Sequence, residues 1–214
     1  YLMNLSYYYW WFKAAVPSRI CDDIIKYGLK HQEDMAITGG FGRGRDIKKQ
    51  PLNKKEIKNL KKKRDSNIVW MNDRWIYKEI QPYVTDANKK AGWNFNWDWS
   101  ESCQFTKYKP GQYYDWHCDS WEHAYTAEGP TKDKIRKLSV TVSLSDEKDY
   151  VGGELEFDFR QYDPDKRRKT QVCKDILPKG SIVVFPSFVW HRVKPVKKGI
   201  RYSLVVWNLG YPFQ

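Results

Sequence analysis

The feature that most restricts the fold is a change of period near residue 101. Beyond it the chain consists of short runs rich in Val, Ile, Tyr and Phe, each closed by a turn signal. The runs fall at 102–109, 115–119, 135–145, 153–159, 169–175, 181–185, 189–194 and 200–208. Lys109-Pro110-Gly111, Asp163-Pro164-Asp165 and Lys197-Lys198-Gly199 are typical of the turns between them. Eight short strands in roughly 110 residues match a double-sheet jelly roll.

The first hundred residues have a different period. Pro17 and Ser18 open a helix over 17–34, with Ile20, Ile24, Ile25 and Leu29 on one stripe. Trp75, Ile76, Glu79 and Ile80 predict a second helix over 72–91. Between them, Gly39, Gly40, Gly42 and Gly44 lead into a basic stretch around Leu52, Ile57 and Leu60, a flexible loop with one short basic helix inside. The expected architecture is one domain over 1–214, mainly β with N-terminal helices. A double-stranded β-helix (jelly roll, cupin-like) at 101–209 is buttressed by helical residues 1–100, with a basic flexible loop at 39–66.

Charge and cysteine usage narrow the class further. The chain is 41% hydrophobic and has no run of eighteen apolar residues, so no membrane-spanning helix is expected. Its net charge is +12, and its eleven Trp and basic balance suggest nucleic acid at first sight. Yet +9 of that charge lies between Arg43 and Arg64, where eleven Lys or Arg meet only Asp46 and Glu56. Such a run is a solvated face, or a mobile flap over an acidic or phosphate-bearing partner. Cys21, Cys103, Cys118 and Cys173 form no CxxC pair, which argues against a zinc ribbon or a disulfide scaffold. With no basic-then-apolar leader at the N-terminus, a soluble protein of the reducing cytoplasm is expected.

The chemistry gathers on few residues. His117-Cys118-Asp119 puts an imidazole and a carboxylate two apart, on the same side of a strand. Alone the triplet is weak, since a satisfied polar pair at a strand end looks the same. His191 follows the apolar strand Ser181 to Phe185 and a turn at Pro186. Two imidazoles and a carboxylate on facing strands are the ligand set that holds Fe(II) on one face. Ten residues on, Arg201 and Ser203 share a face of the apolar strand Ile200 to Trp207. A guanidinium in an apolar barrel is costly unless it meets an anion, and its fork suits a carboxylate. Tyr108, ahead of Lys109-Pro110-Gly111, offers a phenol to the same pocket.

These stretches resemble the Fe(II)- and 2-oxoglutarate-dependent oxygenases, in the prolyl 4-hydroxylase-like (PKHD-type) branch. The resemblance runs through Cys103 to Gly111, His117/Asp119, Ser139 to Leu144 with Gly152-Gly153-Glu154, Gly180 to Phe185, His191 and Arg201 to Trp207. It implies that His117, Asp119 and His191 bind iron. It implies equally that Arg201 pairs with the distal carboxylate of 2-oxoglutarate, helped by Tyr108 and Ser203. Trp207 matches a Trp beside the metal pocket of prolyl 4-hydroxylases. Many members carry Lys where this chain has Arg201, a change that keeps the charge and alters the geometry. Thr141 and Ser143 are further barrel-lining candidates. Tyr114, Trp190 and Arg64 are candidates for the substrate pocket, within an aromatic wall that includes Tyr113, Trp116 and Trp121.

The implied cofactors are Fe(II), 2-oxoglutarate and O2, with ascorbate as a further candidate. The implied reaction is hydroxylation of an unactivated C–H, first of all in a prolyl residue of a peptide or protein, with release of succinate and CO2. A nucleic acid oxygenase or dealkylase using the basic segment 43–64 is the alternative enzyme, although the barrel tail has one pocket Arg where the dealkylase branch has a pair. A non-catalytic jelly-roll binding module would need a broken ligand set, and a zinc hydrolase would leave Arg201 unexplained.

Overall fold

A computed structural model of the chain describes residues 5–31, 33–36, 51–120, 123–159 and 170–213. In chain order the elements are β1 (Trp10–Phe12), α1 (Ser18–Leu29), β2 (Asp34–Met35), α2 (Lys54–Lys61), β3 (Arg64–Asp65), β4 (Asn67–Met71), α3 (Arg74–Lys90), β5 (Trp99–Ser100), β6 (Cys103–Tyr108) and β7 (Tyr113–His117). There follow β8 (Ile135–Ser143), β9 (Tyr150–Gly152), β10 (Leu155–Asp158), β11 (Thr170–Val172), β12 (Ile182–Pro186), β13 (Trp190–Val193), β14 (Val196–Gly199) and β15 (Arg201–Gly210). The larger sheet runs β1-β12-β8-β15-β6-β4-β2, with β5 also on β15, and the smaller runs β11-β10-β13-β7-β3. All the pairings are antiparallel, which gives the expected jelly roll.

Alternation along the strands separates two interiors. Leu138, Val140 and Val142 of β8 and Leu204 and Val206 of β15 face the helices. There they meet Ile76, Ile80, Val84 and Ala87, a stripe down α3 that is at most 1% exposed. Gly28 of α1 lets Phe105 of β6 approach: a Cβ there would stand 2.6 Å from the Phe105 ring. The other faces of β6, β8 and β15 turn toward the smaller sheet and carry the polar residues of the barrel. No helix among the described residues is long and apolar enough to cross a membrane.

Several expectations need adjustment. The helix begun at Ser18 stops at Leu29 rather than continuing to 34, because Asp34 and Met35 pair with Ile68 and Asn67 of β4. The strand expected at 115–119 is Tyr113–His117, so Asp119 lies beyond its end. Among the strands that were not foreseen are β9 and β14, which pair as a separate ladder. The short basic helix is present as α2, with Asn53 and Glu56 forming a reciprocal cap at its start. The glycine-rich part of the basic loop, from Gly39 through Arg43 to Gln50, and Trp121 lie outside the described residues. All four cysteines are free.

Candidate metal centre and co-substrate cavity

His117 ends β7 and His191 lies directly across from it on β13. The imidazole centroids are 4.2 Å apart. Asp119 is delivered from the turn after β7, where Ser187 accepts hydrogen bonds from the Asp119 and Ser120 amides at 2.8 and 2.9 Å. Its Oδ1 is 3.7 Å from His117 Nε2 and its Oδ2 is 3.6 Å from His191 Nε2. One ligand atom from each of the three residues lies within 4.8 Å of the others.

The hydrogen bonds around this triad fit a metal ion. His117 Nδ1 meets the Asp115 carbonyl at 2.7 Å and His191 Nδ1 meets the Val189 carbonyl at 3.0 Å. A carbonyl only accepts, so each Nδ1 carries a proton, and Nε2 is the atom each ring leaves to face a metal. Burial holds His117 neutral, pushing its pKa well below the usual imidazole value, and His191 adds to the effect. Burial works against the charge on Asp119, but His191, His117, Arg136 and the Trp207 indole together hold its pKa below the usual carboxylate value. Ser139 Oγ donates to Asp119 Oδ2 at 2.8 Å and contacts Ser187 Oγ at 2.9 Å, fixing the carboxylate plane. Two imidazole nitrogens and a carboxylate oxygen thus converge, a set suited to a divalent cation. The Trp207 Nε1–H beside it is buried without a well-formed hydrogen bond.

A cavity runs from this triad into the barrel, lined among others by Tyr108, Thr141, Leu155, Val193, Arg201 and Ser203. Arg201 is 3% exposed; its Nη1 donates to Ser203 Oγ at 3.2 Å, and its guanidinium stands 5.5 Å from the Tyr108 ring centroid. No carboxylate among the described residues pairs with it. The register brings the three together, with Arg201 opposite Tyr108 and Ser203 opposite Thr106. Gly153, at φ +65°, makes room for the arginine stem, since a Cβ there would lie 3.0 Å from Arg201 Cδ. Ser143, by contrast, donates to the Ser145 carbonyl and does not line the cavity.

A second cavity of about 370 Å³ opens outward from the triad. Trp70, Trp116, Trp190 and Trp207 wall it, with Tyr114, Lys63, Arg64 and Arg136. Tyr114 reaches the site through a bulge in β7: His191 pairs with His117 but Val193 pairs with Tyr114, so three residues span the space of two. Burial raises the Tyr114 phenol to about 12. Tyr113 is turned away, its hydroxyl donating to the Lys61 and Lys62 carbonyls.

Four contributors escaped the sequence reading. Gln104 and Ser139 are ordinary polar residues at barrel-facing strand positions, a signal that every second residue of these strands gives. Trp70, on β4, is 47% exposed and packs 6.2 Å from Trp207. Arg136 is clamped by Glu101 at 2.6 and 2.8 Å and lies 3.9 Å over the Trp207 ring, a pairing across 35 residues that no local motif announces.

Comparison with known proteins agrees with this geometry. Residues 103–208 match the family described as the 2OG-Fe(II) oxygenase superfamily. A PKHD-type hydroxylase of Synechococcus elongatus is 35% identical over 106 residues, 50% of this chain and 42% of the relative. One from Xanthomonas axonopodis pv. citri is 32% identical over 103 residues, 48% of this chain and 41% of the relative. The matched stretch therefore spans about two-fifths of the length of these relatives. Among solved structures, a Pseudomonas putida prolyl-4-hydroxylase superposes with a TM-score of 0.66 at 16% identity, covering 95% of this chain and 93% of that one. A viral collagen prolyl hydroxylase from Paramecium Bursaria Chlorella virus-1, in a 2OG complex, gives 0.61 at 20% identity, covering 96% and 97%. At these identities the two structures establish a shared fold.

Proposed function

This chain belongs to the 2OG-Fe(II) oxygenase superfamily through residues 103–208, and from that premise we propose that it is an Fe(II)- and 2-oxoglutarate-dependent dioxygenase that hydroxylates a prolyl residue in a peptide or protein. The observation that carries this reading is the placing of two opposite demands in one cavity. At one end three metal-ligating side chains converge, and at the other a buried guanidinium has no carboxylate partner among the described residues. Iron and a dicarboxylate would meet both demands at once.

His117, Asp119 and His191 would hold the iron, while Arg201, Ser203 and Tyr108 would bind the distal carboxylate of 2-oxoglutarate. Bound there, the pair supplies the oxidising power to split 2-oxoglutarate with O2 into succinate and CO2 while one oxygen atom enters a C–H bond, with ascorbate as an auxiliary reductant. The protein contributes orientation and exclusion of water. Ser139 keeps Asp119 in one rotamer, and the Nδ1 hydrogen bonds keep both Nε2 atoms aimed inward. Arg136, locked by Glu101, holds the Trp207 indole as a fixed wall between the two cavities. The outer cavity would receive the substrate, since Trp and Tyr faces suit the flat apolar ring of proline.

The relatives are named hydroxylases and the structural neighbours prolyl hydroxylases, which favours a peptidyl substrate over nucleic acid. The described end of the basic segment supports a substrate-facing role, because Lys63 and Arg64 line the outer cavity. The deciding assay is 2-oxoglutarate turnover across proline-containing peptides and nucleic acid oligomers, read as succinate and as a +16 product. Turnover with peptides alone is expected; an oxidised oligomer with unmodified peptides would select the nucleic acid reading.

A further inference from the structure

Arg64 is the second buried cation of the site, and its partners among the described residues are all neutral. It is 4% exposed. Its Nε donates to Ser66 Oγ at 2.9 Å and its Nη2 to Gln104 Oε1 at 2.7 Å. The guanidinium carbon lies 4.4 Å from the centroid of the Tyr114 ring. No carboxylate among the described residues pairs with it. The neighbouring Asp65 is engaged elsewhere, 3.4 Å from Lys61 and accepting from Gln112 Nε2 at 3.0 Å. Arg136, in the same outer cavity, is neutralised by Glu101. Among the described residues, one arginine of this cavity is thus balanced by a carboxylate and the other, Arg64, is not.

A guanidinium stays protonated at any accessible pH, so Arg64 cannot relieve its burial by losing a proton. Only two of its N–H groups are committed to the two hydrogen bonds above. Gln104 extends the donor set. Arg64 only donates, so the Gln104 oxygen is fixed toward it, and Thr106 Oγ1 shares that oxygen at 3.5 Å. The Gln104 NH2 must then point away from Arg64. Arg64 and Gln104 line both cavities, the inner one beside the triad and the outer one with the tryptophans. They stand at the passage through which a substrate would approach the metal ligands. Arg201, at the co-substrate end, is a separate residue with its own partners.

We propose that Arg64 and Gln104 form a carboxylate-binding subsite, and that the substrate of this enzyme carries a carboxylate close to the carbon that is oxidised. The planar fork of Arg64 together with an amide NH2 matches the two oxygens of a carboxylate. The carboxylate can belong to a chain terminus or to an acidic side chain next to the target residue. This proposal rests on the oxygenase reading above and narrows its substrate class.

The test uses the whole protein loaded with Mn(II) and 2-oxoglutarate under anaerobic conditions, with quenching of the tryptophan fluorescence as the binding signal. The probes are N-acetylproline against N-acetylprolinamide, and acetyl-Pro-Asp-amide against acetyl-Pro-Asn-amide. The acid member of at least one pair is expected to bind about tenfold more tightly or better, and which pair does so identifies the source of the carboxylate. In Arg64→Gln that preference falls to within about twofold, while the affinity for 2-oxoglutarate stays within about twofold of the parent. Gln104→Leu, which leaves the guanidinium in place, reduces the preference in part. Equal binding of acid and amide by the unaltered protein overturns the proposal and requires no variant to fold. A loss of 2-oxoglutarate affinity in Arg64→Gln also overturns it, by assigning Arg64 to the co-substrate. Failure of the oxygenase reading looks different: 2-oxoglutarate does not bind the parent at all, whatever the probes do.

Discussion

The ring of Tyr114 lies flat on the imidazole of His117, with centroids 3.5 Å apart and planes inclined by 13°. Residues three apart on a regular strand face opposite sides; the bulge in β7 puts these two on one side. One face of the imidazole of this candidate metal ligand is thereby covered by an aromatic ring, which restricts its rotation.

Removing that cover is expected to weaken the metal centre without removing a ligand. Tyr114→Ala should lower Fe(II) affinity by about tenfold, the scale seen when outer groups that orient a ligand are lost. Tyr114→Phe, which keeps the stack and loses the hydroxyl, should stay close to the parent. Anaerobic metal titration of both variants checks this, and equal affinity for Tyr114→Ala would show that the stack has no positioning role.

Asp119 should depend on Ser139 in a similar way. Ser139→Ala deletes the hydroxyl that donates to Asp119 Oδ2 and should reduce metal affinity by about tenfold, with the fold intact. His117→Ala or Asp119→Ala should abolish iron-dependent succinate formation altogether. Retained turnover in either ligand variant would mean that the metal sits elsewhere.

Arg201 has a more specific signature. Arg201→Ala removes a charge-assisted fork and should raise the KM for 2-oxoglutarate by about 100-fold, with little change in metal affinity. Arg201→Lys keeps the charge but loses the fork geometry, so its KM should fall between the two. An unchanged KM in Arg201→Ala would remove the residue from the co-substrate site.

The edge of the smaller sheet carries an acid-sensitive contact. Glu156 accepts from Thr170 Oγ1 and from Arg192 Nε, each at 2.7 Å, with Lys194 at 3.7 Å. Burial opposes its charge, but these partners prevail and hold its pKa below the usual carboxylate value. A pKa lower in the folded than in the unfolded chain stabilises the fold above the unfolded value of about 4.3 and ceases to do so as pH falls through the folded value. Glu156→Gln should therefore be less stable than the parent at pH 7 by about 1–3 kcal/mol, and the gap should close on acidification. Denaturant unfolding at a series of pH values measures it, and a gap independent of pH would assign the loss to packing instead.

What could be read from the sequence was what depends on near neighbours. Strand alternation has a period of two, so Arg201 and Ser203 had to share a face, and the apolar run around them had to be a strand. The α3 stripe is equally local. His117 and Asp119 came out on one side of the chain even though Asp119 sits in a turn, because Ser187 and Ser139 hold it where an extended strand would have put it.

The sequence by itself thus determined the chemical inventory of this protein: three candidate metal ligands, an arginine with a hydroxyl beside it, and the β framework that carries them. Only the tertiary structure decided which groups are already satisfied. Glu101 neutralises Arg136 across 35 residues, while among the described residues Arg64 receives only a serine, a glutamine and a tyrosine face. Whether a buried charge finds its counter-ion is settled by sheet register and by the β7 bulge, which bring together residues far apart in the chain. Those relations are absent from any local period, and here they separate an arginine paired with a carboxylate from one with only neutral partners among the described residues.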